Sequence, residues 1–312
     1  MQRSCDLLGI ELIEGPYDYQ SWLDAVRGLE KEPEKGKRCA VCFDKRFLVS
    51  AHKALELGEK KITTTLLVSP LKSQEQLKAI GEKFYTEYGV EFIAVDYRSG
   101  GGTQDQSRVT KEQQLYRQDY CGCIYGLTMQ REQQNKLLDE LFSPISQQIL
   151  PGSIEERIAL YTTRNELEKQ KKNYKIIKEK FLNYREFFCT LYKNKTTQVT
   201  AYPLPYSTLP RKKAQGRIEY TINNISYCNR DEIKCITLEY FNTLTSFHYK
   251  SVQELIFNPP LFEEVLKIRH HITQSPYDLS PILVIEEPLD GKLILHLDTK
   301  VYEDTREKLI II

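Results

Sequence analysis

The sequence predicts a mixed α/β protein, with a doubly wound, mainly parallel sheet over residues 1–152 and a separate α+β domain over residues 153–312. Three observations predict it. Up to about residue 150, apolar β-branched runs alternate with amphipathic segments of helix length. Past residue 153 that pattern gives way to a lysine-rich stretch, proline-rich turns and period-two strands. The chain is also long enough, at 312 residues and 40% hydrophobic, to fill two cores.

The elements follow in order. IELIE (10–14) reads as a short strand, Pro16 as a turn, and Tyr19 to Glu30 as a helix. The charged KEPEKGK segment interrupts, and CAVCFDKRFLVSAHKALELG forms a helix. Its residues Val41, Phe47, Leu48, Ala51, Ala54 and Leu55 share one face, and Gly58 stands at its stop. ITTTLLVS (62–69) is β-branched and bounded by Pro70, which predicts a strand. In SQEQLKAIGEKFYTEYG, Ser73 and Gln76 make a capping box and Gly89 a terminator, so a helix lies between them. VEFIAVDY (90–97) is the next strand, SGGG (99–102) a flexible loop, and a helix opens at Thr110. Strands separated by helices of this length pair in parallel and gather ligands at their carboxyl ends. In the second half, residues 154–193 read as one long helical stretch that includes EKQKKNYKIIKEKFLNYREFF. IEYTINNISY and KCITLEYF read as strands and LFEEVLKIRHH as a helix. LVIEEP and KLILHL flank the Asp290-Gly291 turn as a hairpin.

Charge and hydropathy exclude several function classes. With 44 basic and 43 acidic side chains, no global field points at a polyanion. No apolar run approaches the length of a membrane span and none opens the chain, which predicts a cytoplasmic protein. Four of the eight cysteines, Cys5, Cys189, Cys228 and Cys235, are irregularly spaced and read as buried apolar thiols. SGGG lacks the lysine and helix context of a phosphate-binding loop. His270-His271 and His296 have no ligand-spaced companions, and the lysines around 169–180 read as a solvated helix face able to meet RNA phosphates.

The remaining four cysteines carry the chemistry. RCAVCF places Cys39 and Cys42 at the start of a helix, where amide groups, the helix dipole, Lys37 and Arg38 favour thiolate. Thiolate is both a metal ligand and a redox nucleophile. In YCGC, Gly122 lets the backbone curl so that Cys121 and Cys123 face one point, either a metal ion or each other. A disulfide across one intervening residue closes a small strained ring, and such disulfides are easily reduced. Metal binding, redox chemistry, or both follow from these pairs.

The segments YDYQSWLDAVRGLEKEPEKGKRCAVCF, TTTLLVSPLKS, FIAVDYR and QLYRQDYCGCIYG occur in fixed order over about residues 1–126. Together they closely resemble the QueH-type epoxyqueuosine reductases. The resemblance implies a HUP-like, Rossmann-related α/β fold and an iron–sulfur enzyme performing the last step of queuosine synthesis. There the epoxide on a modified guanine at the wobble position of tRNA is reduced to the cyclopentene-diol, with electrons from a donor the sequence does not identify. It further implies that Cys39 and Cys42 ligate a four-iron four-sulfur cluster. Cys121 and Cys123 are then a redox-active pair or ligands of a neighbouring metal such as a second iron. A cluster delivers electrons singly while a dithiol holds two, which suits removal of an epoxide oxygen. By position, Tyr116 and Asp119 are candidate proton donors, and Asp96, at a strand end, is a candidate acid or second-metal ligand. An unpaired anticodon-loop base can be read without opening a duplex.

The resemblance also implies an adjacent Cys-Cys pair near the amino terminus. None precedes or overlaps MQRSC, and Cys5 is a single thiol in a helical context. The expectation is that the chain is an amino-terminally shortened form, inactive as written. Two other readings stand beside this one. Cys39, Cys42, Cys121 and Cys123 would make one closed tetrahedral zinc site in a scaffold or RNA-binding protein, or the pairs would serve a thiol oxidoreductase acting on proteins.

Overall fold

A two-stranded parallel sheet flanked by helices organises the first part of the chain. In the computed structural model, residues 2–116, 118, 120–138, 148–275 and 278–312 are described, and the chain divides into two units, residues 1–137 and 138–312. The first unit holds α1 (Gln2–Leu8), α2 (Tyr19–Ala25), α3 (Lys37–Glu56), β1 (Lys61–Ile62), α4 (Gln74–Tyr88), β2 (Glu91–Phe92), α5 (Gly102–Glu112) and α6 (Ile124–Gln133). Lys61 pairs with Glu91 and Ile62 with Phe92 in parallel.

Local chemistry sets these limits. Ser73 caps α4 by accepting from the Gln76 amide at 3.2 Å, and Gly89 closes it with φ 70°. The apolar faces of α3 and α4 meet over Phe43, Phe47, Ala51, Ala54, Leu67, Leu77, Phe84 and Val90, the core of this unit. Each large side chain there contributes about 1.5–3 kcal/mol by leaving water. Gly81 is obligatory on α4, because a Cβ there would lie 2.4 Å from the Phe92 ring.

Several expected elements come out shorter or elsewhere. IELIE forms no strand, and its Ile10 and Ile13 are exposed. ITTTLLVS keeps only the end of β1. Its Thr65–Val68 part winds into a 3-10 turn capped by Thr64, which buries Leu67 where a strand would continue. VEFIAVDY pairs only at Glu91–Phe92, and α5 ends near Thr110, where a helix was expected to start. Among the described residues, the sheet observed in this unit is therefore the parallel pair.

The second unit opens with α7 (Ile154–Lys169). An eight-stranded sheet follows from β3 (Tyr174–Lys193), β4 (Thr197–Val199), β5 (Ala201–Pro203), β6 (Lys213–Ile222), β7 (Ile225–Cys228), β8 (Lys234–Thr237), β9 (Ile282–Ile285) and β10 (Lys292–Ile311). The spatial order is β4-β3-β10-β6-β7-β8-β9-β5, antiparallel except for β8 beside β9. Helices α8 (Leu238–Thr243), α9 (Val252–Phe257) and α10 (Phe262–Thr273) cover one face. Strand β9 is apolar throughout because both its faces are buried. Ile282 and Val284 join the helices, while Leu283 and Ile285 pack with Leu293, Leu295 and Leu297 opposite.

Two expectations are corrected here. The lysine-rich segment 174–193 is strand, because β10 runs antiparallel beside it from Leu293 opposite Lys193 to Ile311 opposite Tyr174. Cross-strand pairs such as Arg306 with Glu179, 3.1 Å apart, match its charges. LVIEEP and KLILHL form no hairpin with each other. Strand β9 pairs with β8 and β5, and β10 with β3 and β6.

Candidate active site

The loop before α3 brings the first cysteine pair into place. Gly36 caps α3 without a side-chain bond, leaving the first-turn groups to other partners. Cys39 lies in that first turn, and its Sγ accepts from the Lys35 amide at 3.3 Å. Arg38 is 2% exposed, donates to the Glu30 carbonyl at 2.8 Å, and keeps a buried Nε without a partner. Gln76, on α4, fixes the same loop by donating to the Lys35 carbonyl at 2.7 Å.

The second pair sits at the start of α6. Cys123 is the N-cap, and its Sγ accepts from the Gly126 amide at 3.5 Å. The Cys121 amide donates to Gln130 Oε1 at 3.0 Å, which folds the segment back over the helix. Gly126 is the close approach here, since a Cβ would meet Cys121 Cβ at 3.2 Å and Sγ at 3.3 Å. Both thiols are free.

A residue that sequence reasoning missed connects the pairs. Lys72 Nζ lies 3.5 Å from Cys121 Sγ and 3.4 Å from Glu34 Oε1, with its side chain only 13% exposed. Burial opposes its charge, but Cys121, Glu34 and Cys39 together hold the ammonium charged above its ordinary range. Cys121 and Cys39, one from each pair, thus both act on this cation. The Cys121 thiol is lowered to about 5, first by a hydrogen bond from the Cys123 thiol and, against burial, by the Cys123 amide and Lys72. Cys123 is raised, because its proton holds that hydrogen bond and because it is buried. At neutral pH the pair is one thiolate and one thiol.

Asp96 lies in an exposed turn and accepts from the Arg98 amide at 2.9 Å, the Ser99 amide at 3.2 Å and Gln74 Nε2 at 2.9 Å. These bonds, the Arg98 amide foremost, hold its carboxyl at about 2. It is thus ionised at neutral pH. Its bonds also give it a structural part, because Arg98 in turn donates to the carbonyls of Ser69 and Lys72 at 3.1 Å. The Asp96 turn thereby shapes the loop that carries Lys72. Tyr116 is 38% exposed in the segment after α5. Asp119 lies outside the described residues.

The closed zinc site is not formed, since among the described residues no three His, Cys, Asp or Glu side chains group as metal ligands. For a thiolate-held cluster, the residues fit in part. Cys39 and Cys42 offer two sulfur ligands at the Cys-x-x-Cys spacing, and the buried Arg38 and half-buried Lys72 suit an anionic group. Elsewhere, Cys189, Cys228 and Cys235 pack in the core of the second unit, where burial raises all three. His270 and His271 stand at the end of α10, both exposed, and His296 stands edge-on to Tyr192. Among the described residues, no helix is long and apolar enough to cross a membrane.

Comparison with known proteins places the chain in a family. The family described as epoxyqueuosine reductase QueH matches residues 1–129. The epoxyqueuosine reductase QueH of Helicobacter pylori is 35% identical over 323 residues, covering 97% of this chain and 85% of that protein. The proteins of the same name from Histophilus somni and Haemophilus influenzae are each 38% identical over 126 residues. Those matches cover 40% of this chain and 52% and 51% of the respective proteins. Because the Helicobacter match takes in both units, and the family match spans both cysteine pairs and Lys72, the chain belongs to the epoxyqueuosine reductase QueH family.

Proposed function

We propose that this chain reduces epoxyqueuosine to queuosine at the wobble position of tRNA, with Cys121 and Cys123 as the reacting pair. The observation that carries the proposal is the Lys72 ammonium 3.5 Å from Cys121 Sγ in a free Cys-x-Cys pair, a setting that favours thiolate at Cys121. A thiolate is the nucleophile an epoxide carbon needs, and a second thiol beside it is what completes a two-electron reduction.

The step balances on these residues. Cys121 Sγ forms a bond to an epoxide carbon, the carbon–oxygen bond breaks, and the oxygen takes a proton. Cys123 Sγ then attacks Cys121 Sγ. The sulfur–sulfur bond forms, the carbon–sulfur pair becomes the new double bond, and the oxygen leaves as water. Epoxide and dithiol become alkene, water and disulfide. Cys123 supplies one proton and Lys72, at 3.5 Å from Cys121 Sγ, the other. The disulfide returns to dithiol with two electrons from an external donor. An iron–sulfur cluster on Cys39 and Cys42 supplies such electrons singly when bound.

The finer readings belong to this proposal. The parallel β1–β2 pair, with α3 and α4 packed beside it, is part of a doubly wound, HUP-like sheet, residues 153–312 form an accessory domain that assists tRNA binding, and the enzyme works in the cytoplasm. Expressing the chain in a host that lacks its own reductase and measuring nucleosides from its tRNA tests the activity. Queuosine supports the proposal, and epoxyqueuosine alone in the presence of folded protein rejects it.

A further inference from the structure

Four aromatic rings stack in file toward the thiol pair. Tyr17 and Tyr19 have ring centroids 5.9 Å apart and planes 7° from parallel. Tyr19 and Trp22 follow at 6.0 Å and 15°, and Trp22 and Tyr125 at 6.1 Å and 26°. The outer end is open, with Tyr17 88% exposed and Tyr19 38% exposed. At the inner end, Tyr125 lies two residues after Cys123 and beneath the Arg38 guanidinium, 5.8 Å from its centroid.

Core packing does not account for such a row. The core aromatics of this unit, Phe43, Phe47 and Phe84, are at most 4% exposed, whereas Tyr17 gains almost no burial from its place. The row is nevertheless held in position. Asp18 caps α2 by accepting from the Ser21 amide at 3.1 Å, and Ser21 is bonded in turn to Asp18 and to Lys45 of α3. Rings held parallel before a ligand arrives lose little freedom on binding. Every nucleobase has a π-face that stacks on such rings, and unpaired loop bases are the form of RNA that offers those faces.

We propose that Tyr17, Tyr19, Trp22 and Tyr125 form a stacking platform for unpaired anticodon-loop nucleotides beside the modified base. This rests on tRNA being the substrate. Near the outer end Asp18 and Lys45 both bond Ser21 and Arg27 pairs with Asp24 at 2.6 Å, and the platform works through ring faces. A folded RNA loop fits it better than a duplex, whose bases are already stacked on one another.

Trp22 is the single tryptophan of the chain, so its emission reports directly on the platform. The test titrates the full chain with an unmodified anticodon stem–loop RNA and, separately, with a blunt duplex of the same stem. The stem–loop is expected to quench Trp22 and the duplex to leave it unchanged. Tyr17→Ala, and Tyr17→Ala with Tyr19→Ala, should weaken stem–loop binding by about 10- to 100-fold while leaving its salt slope unchanged, since that slope reflects phosphate neutralisation. Tyr17→Phe should bind as the wild type does, and thermal unfolding of each variant shows whether it is folded. Wild-type affinity in the folded double variant, equal quenching by the duplex, or no binding of either RNA by the wild type overturns the platform. Nucleoside analysis of host tRNA separates the two readings. Queuosine formation with an unaffected double variant rejects the platform alone. Quenching that Tyr17→Ala removes, in a chain that makes no queuosine, rejects the reductase reading alone.

Discussion

Replacing Lys72 by methionine deletes the ammonium beside Cys121 and keeps most of its stem. Opposite unit charges 3.5 Å apart attract by about 1 kcal/mol in water-like surroundings and about 5 kcal/mol at an effective dielectric constant of 20. One pKa unit corresponds to about 1.4 kcal/mol. The main cause of the low Cys121 value is the Cys123 hydrogen bond, which the variant retains, so the low end of that range applies. Glu34, at 3.4 Å from Lys72, then faces Cys121 without its counter-charge and pushes in the same direction. The expected result is a Cys121 titration raised by about one unit from its value near 5. The sign follows directly. A raised thiol pKa leaves less thiolate at a given acidic pH, so alkylation of Cys121 slows by up to about tenfold well below pH 5, by about twofold near pH 6, and converges on wild type where both are ionised. The assay is the pH dependence of iodoacetamide labelling, mapped to Cys121 by mass spectrometry. A folded Lys72→Met chain whose Cys121 titrates as the wild type does would show that Lys72 has no part in activating the thiolate.

Other perturbations have separate outcomes. Cys121→Ser and Cys123→Ser should each abolish queuosine formation with circular dichroism unchanged, and near-normal turnover in either would remove the redox role. Cys39→Ser or Cys42→Ser should lower iron bound per chain and the brown colour of anaerobically purified protein, and unchanged iron content contradicts their ligand role. Asp96→Asn should leave the shape of the pH–rate profile intact between about pH 5 and 8, because a carboxyl held at about 2 is ionised throughout that window; loss of a limb would restore Asp96 as an acid. Gly126→Ala should cost activity more than melting temperature, since its methyl lands 3.3 Å from Cys121 Sγ; a variant that melts early but turns over normally would contradict this. Replacing Lys175, Lys178 and Lys180 together by alanine should reduce the salt slope of tRNA binding by up to about 0.7–0.9 for each phosphate no longer neutralised, and an unchanged slope removes this ribbon from the RNA path.

Elements whose limits are local were legible from the sequence. Ser73, Gln76 and Gly89 bracket α4 because cap and terminator act within one turn of chain. Long-range choices were hidden. KIIKEKFLNYREFF suits a helix as well as a strand, and β10, with Arg306 opposite Glu179, decides for strand. Gly291 takes φ 79°, but Asp290-Gly291 closes no hairpin, because the strands on either side find different neighbours. In the site, both cysteine pairs were visible in their spacing. Lys72 was not, although it stands in the VSPLKS segment of the family resemblance, because its part depends on the loop after the Thr65–Val68 turn packing against Cys121. Asp96 was found by its place near a strand end, but its three donors were not, since hydrogen bonds to one carboxylate are invisible in a linear chain.

The central claim is that Cys121 and Cys123 supply the two electrons that open the epoxide. The most direct measurement is a single turnover without oxygen or external donor. Pre-reduced protein is mixed with tRNA carrying epoxyqueuosine, and both the nucleosides and the cysteine alkylation state are read by mass spectrometry. One queuosine should appear for each Cys121–Cys123 disulfide formed, and none with Cys123→Ser. Queuosine formed while both thiols remain alkylatable would contradict the account.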